Sequence, residues 1–171
     1  MKKYIGTKII KARPMTGDEY FKDKDSSERP TGPGFLVGYP NAAGEFNGEL
    51  DGGCDYLSWS PGDVFDASYR DVSGMPFGLA IEAAKKGHSI ARAGWNGKGM
   101  FVVLMTALYL PPYKTADTAR KVNDRTAKWI GEDTPLDSQP YFAMFTATKQ
   151  WQPGWLCSQA DMLADDWTIV E

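Results

Sequence analysis

The run His88-Ser89-Ile90-Ala91-Arg92-Ala93-Gly94-Trp95-Asn96-Gly97-Lys98-Gly99-Met100-Phe101-Val102-Val103-Leu104-Met105 sets the architecture of the second half of this chain. Upstream of it, Phe77, Ala80, Ile81 and Ala84 recur at i, i+3, i+4 and i+7, and Gly87 stands where a helix-ending C′ glycine belongs. The spacing predicts an amphipathic helix, a short strand over 88–92, and a strand over 100–105 apolar enough to lie centrally in a sheet. Between the strands an indole, an amide and a cation sit among three glycines. Glycine lets backbone approach a ligand closely, because no Cβ intervenes. Trp95 offers a stacking face, Asn96 a donor and acceptor for a base or ribose edge, and Lys98 or Arg92 a charge for phosphate. A structural reading stands beside the functional one: Trp95 is core, and Asn96-Gly97 is a hairpin turn with positive φ.

Working outward, 171 residues suit one domain or two small ones, and 42% hydrophobic with 24% charged residues is an ordinary globular balance. The pattern predicts an α+β protein of small antiparallel sheets with short helices, in two compact units. The first covers 1–72. Tyr4–Ala12 reads as a strand ended by Pro14, and 16–22 as a short helix capped by Thr16. Lys22–Gly34 reads as a loop, with strands at Gly34–Tyr39 and Cys54–Trp59. Ser60-Pro61-Gly62-Asp63 then starts a helix that buries Val64, Phe65 and Tyr69. The second unit covers 75–171. Beyond the central strand it predicts a basic helix in 114–130, with Pro135 in the loop after it. A strand follows at Tyr141–Thr146, with Trp151–Trp155 as a turn or strand entry. Ser158-Gln159-Ala160-Asp161 caps a short helix ending near Ala164, and Trp167–Val170 is the last strand. Trp59–Phe65 and Cys157–Leu163 share an offset of Ser, Asp and two apolar residues, which fits duplication or two independent capped helix starts.

A net charge of −3 argues against wholesale binding to DNA. The sign is uneven, however. Residues 1–13 and 111–130 are basic, whereas Asp161, Asp165, Asp166 and Glu171 close the chain without a base, which fits a local anion site, subunits meeting through opposite charge, or solvated faces. Cys54 and Cys157 have neither CxxC nor His spacing and read as free buried thiols in a reducing compartment. The start lacks a secretory apolar stretch and no run reaches membrane-spanning length, so the expected location is cytoplasmic. The single histidine, His88, has no second His or Cys at ligand spacing and reads as a strand-edge or interface residue. No Gly-x-Ser-x-Gly elbow, phosphate-cradling Walker loop or dinucleotide fingerprint occurs. The residues therefore predict no catalytic set, metal or cofactor. They predict a binding cleft if the Arg92–Lys98 loop meets Trp155, Ser158, Gln159 and Asp161. For Gln159 and Asp161, ligand contact and helix capping are both open.

Residues 76–104, from Pro76-Phe77-Gly78-Leu79-Ala80 through Arg92-Ala93-Gly94-Trp95-Asn96-Gly97-Lys98-Gly99-Met100-Phe101, resemble the start of the Thoeris anti-defence proteins of the second type. The stretch Trp155-Leu156-Cys157-Ser158-Gln159-Ala160-Asp161-Met162-Leu163-Ala164-Asp165-Asp166-Trp167 resembles their end. The resemblance spans about 75–171 and implies a phage or prophage homotetramer in the cytoplasm of the infected bacterial host. It implies a sponge for a cyclic ADP-ribose isomer, the glycocyclic signal of bacterial TIR proteins, bound without cleavage. The ligand residues it implies are Arg92, Trp95, Asn96, Gly97, Lys98, Trp155, Ser158, Gln159 and Asp161. Usual members carry threonine where this chain has Ala160, and 106–140 looks like a variable insert. Residues 1–72, with Ser58-Trp59-Ser60-Pro61 before a helix, are similar to an element common in phage proteins. Cyclic dinucleotides are a second ligand class for the same chemistry, with Tyr39, Trp59 or the basic insert. A signal-degrading enzyme and a phage protein-interaction module are the rival readings.

Overall fold

The computed structural model describes residues 2, 7–24, 29–46, 48, 50, 54, 56–116 and 119–170. The chain divides into two compact units, Met1–Asp71 and Val72–Glu171. Among the described residues no helix is long and apolar enough to cross a membrane.

In the first unit, strands β1 (Lys11–Pro14), β2 (Gly34–Tyr39) and β3 (Tyr56–Pro61) form an antiparallel sheet in that order. Helix α1 (Gly17–Phe21) lies between β1 and β2 in sequence, and α2 (Gly62–Ser68) follows β3. Thr16 begins α1 with a full capping box, its side chain accepting from the Glu19 N–H while Glu19 reaches back to the Thr16 N–H at 2.8 Å. Strand alternation sends Phe35 to one face, where it stacks on Phe65 of α2 at 3.9 Å. Trp59, paired with Leu36, turns to the other face, where its indole meets Phe21 and donates to Met15 O at 2.8 Å.

Three expectations shift here. The first strand begins at Lys11 and includes Pro14, whose partner is Phe35; residues 4–6 of the expected strand lie outside the described residues. Ser60 does not cap α2, because β3 continues through it and pairs Pro61 with Gly34, leaving the Ser60 hydroxyl bonded to Pro61 O. Val64 is exposed rather than buried; α2 packs through Phe65 and Tyr69, whose hydroxyl lies 3.3 Å from that of Tyr39.

In the second unit, α3 (Phe77–Lys85) leads through Gly87, at φ 94, into β4 (Ser89–Arg92) and β5 (Phe101–Met105). The insert contributes β6 (Leu108–Leu110), α4 (Asp124–Ile130) and β7 (Leu136–Ser138); β8 (Tyr141–Phe145), β9 (Trp151–Pro153), α5 (Gln159–Met162) and β10 (Trp167–Val170) complete the chain. The main sheet is antiparallel in the order β10-β4-β5-β8-β9, which makes β5 its middle strand. Ala80, Ala83 and Ala84 let α3 settle closely onto Ile90, Val102, Met144 and Trp167, all buried. On the opposite face of β5, Phe101 stacks on Phe145 and meets Trp151 edge-on.

The insert departs from expectation. The helix covers only Asp124–Ile130, because Asn123 caps it by accepting from the Thr126 N–H and the backbone before it turns, with Val122 N–H donating to Pro111 O. Lys114 lies outside that helix and pairs with Glu132 and Asp133. Sequence periodicity also missed β6 and β7, three residues each.

Candidate ligand-binding site

The fold brings the two expected loops together. Register pairs Arg92 of β4 with Trp167 of β10, which sets Asp166 beside the turn that leads to Trp95. The Ala93 N–H donates to Asp166 O at 3.0 Å and the Gly94 N–H to Asp166 Oδ2 at 2.8 Å. At the other end, Ser158 caps α5: its hydroxyl accepts from the Asp161 N–H at 3.1 Å and donates to Asp161 Oδ2 at 2.7 Å. Asp161 Oδ1 is then free to face the first loop, where it accepts from Arg92 Nη1 at 2.8 Å and from the Trp95 indole N–H at 3.1 Å.

Arg92 spans both acids. Its Nε donates to Asp166 Oδ1 at 2.7 Å while Nη1 holds Asp161, with the guanidinium side chain only 20% exposed. The hydrogen bonds it donates to Asp166 and then to Asp161 push its pKa further above the usual arginine value. Burial alone would raise the Asp161 pKa, but the bonds from Arg92, Ser158 and Trp95 outweigh it and hold the carboxyl below the ordinary range. Asp166 is held down chiefly by the Arg92 hydrogen bond, with help from the Gly94 N–H. The same burial pushes the Cys157 thiol up, and the Asp161 charge adds to it. A thiol so placed is a poor nucleophile at neutral pH. Cys157 and Cys54 are free but half-buried, more open than the sequence reading expected. His88 is exposed just before β4, its N–H donating to Ala83 O.

Three indoles cluster at this junction. Trp95 meets Trp155 at 6.1 Å and Trp167 at 5.4 Å, both edge-on, and Trp155 meets Trp167 at 6.2 Å. Trp167 is fully buried and donates through its indole N–H to Asp161 O at 2.9 Å, whereas Trp95 and Trp155 are half-buried. One residue thus engages both tryptophans through different atoms: the Asp161 carboxylate takes Trp95 and its carbonyl takes Trp167.

Asn96 and Gly97 do not form the expected positive-φ hairpin turn. In this loop the positive φ belongs to Gly99, at 71°. Gly97 is needed for space: a Cβ there would run into the Met100 thioether and come within 3.0 Å of Ala147 Cβ.

The sequence candidates therefore fall into two groups. Arg92, Ser158 and Asp161 are engaged with one another, and Gly97 is a packing contact. Asn96, Lys98 and Gln159 are exposed side chains with no hydrogen-bond or ion partner among the described residues, carried by the same two segments as the half-buried Trp95 and Trp155. Asp166 and Trp167 were not singled out as site residues from sequence. The acid run 161–166 was the available signal, but nothing local ties it to an arginine 69 to 74 residues away. Ala160, where threonine is usual in the resembling proteins, is exposed on α5 with its carbonyl 3.5 Å from Arg92 Nη1.

This arrangement presents amide, ammonium and aromatic groups on a braced loop pair, a chemistry suited to holding a polar aromatic ligand. Comparison with known proteins agrees in extent with the second unit. Residues 75–170 match the family model of the Thoeris anti-defense 2-like domain. A relative named Thoeris anti-defense 2, from Bacillus phage SP01, is 35% identical over 97 residues, which cover 56% of this chain and 94% of the relative. The match takes in the whole Trp95–Asp161 network and leaves the first unit outside it, and through it the chain belongs to the Thoeris anti-defense 2-like family.

Proposed function

We propose that this chain is a phage or prophage anti-defence protein that sequesters cyclic nucleotide immune signals without cleaving them. Its ligand is a glycocyclic ADP-ribose isomer of the kind made by TIR proteins, captured in the cytoplasm of the infected host. Family membership supports the anti-defence role. One feature of the geometry supports the ligand class: Asp161 locks the Trp95 loop to the Trp155–Ser158 segment, and on these two segments Asn96, Lys98 and Gln159 are exposed with no side-chain partner among the described residues.

Each group has a place in such binding. An indole face stacks on adenine, worth ~1–3 kcal/mol per base in single-strand binders. Asn96 and Gln159 carry the donor and acceptor pairs that read base or ribose edges, and Lys98 offers a charge to phosphate. The carboxylates that a hydrolase would use as bases are turned onto Arg92 instead, with Asp161 16% exposed. A sponge needs tight binding and water exclusion rather than a base.

Leu156 at 88% and Leu163 at 83% exposure flank α5. We read this apolar margin as covered by other copies of the chain in a homotetramer, which would close the ligand sites at subunit interfaces. Light scattering giving a mass other than four chains would remove that part of the reading.

The test mixes purified protein with glycocyclic ADP-ribose isomers and, separately, cyclic dinucleotides, and follows free ligand by chromatography before and after heat denaturation. Ligand that disappears and returns intact is the expected result. Return as product identifies an enzyme. An isomer that never disappears overturns the proposed ligand, and Trp95→Ala with anti-defence activity intact would favour a protein-interaction module.

A further inference from the structure

The β8–β9 turn contains a conformational outlier. Thr146 N–H donates to Gln150 O at 2.9 Å and Lys149 N–H to Thr146 O at 2.9 Å, while the Thr146 hydroxyl accepts from the Gln150 N–H at 3.2 Å. Lys149 takes the left-handed position that closes this turn, at φ 62, and among the described residues it is the one non-glycine with positive φ. Glycine or asparagine ordinarily occupies such a position, because an L side chain is strained there. Strain kept at one residue points to a use for its side chain.

The turn abuts the Trp95 loop. A Cβ on Gly97 would stand 3.0 Å from Ala147 Cβ, so glycine at 97 permits this approach. On the two sides of the contact stand Lys98 and Lys149, one and two residues away from it. Both are exposed, and neither has an ion-pair or hydrogen-bonded side-chain partner among the described residues. Asp161 and Asp166, the acids bonded to the Trp95 loop, are committed to Arg92. Two uncompensated ammonium groups on abutting turns repel one another weakly through solvent, and an oxyanion between them converts that repulsion into attraction.

We infer that Lys98 and Lys149 form a two-cation site for the phosphate groups of the ligand held by the Trp95 loop. This rests on the proposed nucleotide-binding function and adds a residue, Lys149, that lies outside both conspicuous sequence motifs. The base then stacks toward the indoles while the diphosphate lies over the Gly97–Ala147 contact.

The test compares wild type with Lys98→Gln, Lys149→Gly and the double variant, titrating a glycocyclic ADP-ribose isomer and, in parallel, inorganic pyrophosphate at several salt concentrations. Each single variant should weaken binding about tenfold, the scale of one charge-assisted contact, and reduce its salt dependence. Lys149→Gly should also raise the melting temperature, since glycine relieves the strain; stability and binding then move in opposite directions, which a purely structural lysine would not produce. Unchanged affinity and salt dependence in the double variant, or a loss confined to Lys98→Gln, overturns the inference. If the isomer fails to bind but pyrophosphate binds through both lysines, the anion site stands and the nucleotide assignment falls. If wild type binds neither, both fall.

Discussion

The Trp95 indole N–H donates to Asp161 Oδ1 at 3.1 Å across 66 residues of sequence. The same oxygen accepts from Arg92, and the other carboxylate oxygen accepts from the cap of the helix that carries Asp161. A loop rich in glycine, entropically costly to order, is thereby held by a side chain that is itself fixed at its backbone. The orientation of Trp95 is set by a charge network rather than by packing alone.

Asp161→Asn removes the charge while keeping the shape. Arg92 is left with Asp166 alone, so melting temperature should fall further than for Trp95→Phe, which removes only the indole donor and its outer ring. Both should weaken ligand binding. A double-mutant cycle of the two by chemical denaturation should give a coupling of about 0.5–3 kcal/mol, as residues in one hydrogen-bonded network do. A coupling near zero would mean the Trp95–Asp161 bond carries no weight.

Stability should be nearly independent of pH from neutrality down to about pH 5 and should fall below about pH 4, the ordinary aspartate range. Asp161 and Asp166 have folded pKa values below their unfolded ones, so the stability they contribute is present above the unfolded value and is lost as pH falls through the folded value. Arg92 stays charged throughout this range and adds no slope. Melting temperature measured against pH should show a shallower acid decline in Asp161→Asn/Asp166→Asn than in wild type.

Gly97→Ala places a methyl against Met100 and Ala147. Met100 is flexible enough to yield, so the protein should still fold, with a loss of about 1–3 kcal/mol typical of overpacking. Because the displaced element is the Trp95 loop, affinity for the ligand should drop more than stability does. Calorimetric titration beside thermal melting separates the two effects, and unaltered affinity would show that the close approach is not needed for binding.

Ser158→Ala removes both the cap of α5 and a donor to Asp161. Loss of such a cap costs about 1 kcal/mol, and threonine should restore most of it because its hydroxyl accepts from the same N–H. Denaturation midpoints for Ala and Thr at 158 check this; equal midpoints would mean the cap is idle.

Elements whose signals are local were legible without the structure. Thr16 and Ser158 announced their helices because a capping hydroxyl and its N3 acid lie three residues apart, within one turn. Phe77–Lys85 and Phe101–Met105 were legible because burial imposes a period that sequence carries directly. The Ser60 cap failed because β3 retained that residue through its pairing with β2, a contact invisible from neighbours alone. The insert failed because its strands are three residues long, too short to display a period.

By itself, the sequence determined the helix starts at Thr16 and Ser158, the central strand, the two aromatic-polar segments and the family to which they point. Each of these depends on residues within a turn or two of one another. Tertiary structure alone decided that β10 lies beside β4 in a register opposing Trp167 to Arg92. That register delivers Asp166 and Asp161 to Arg92, so a cation expected to face phosphate becomes the brace of the loop, while Asn96, Lys98 and Gln159 remain open. Partner choice between residues 66 to 74 positions apart follows from strand order, and strand order is set by the whole buried surface of the sheet rather than by any local stretch.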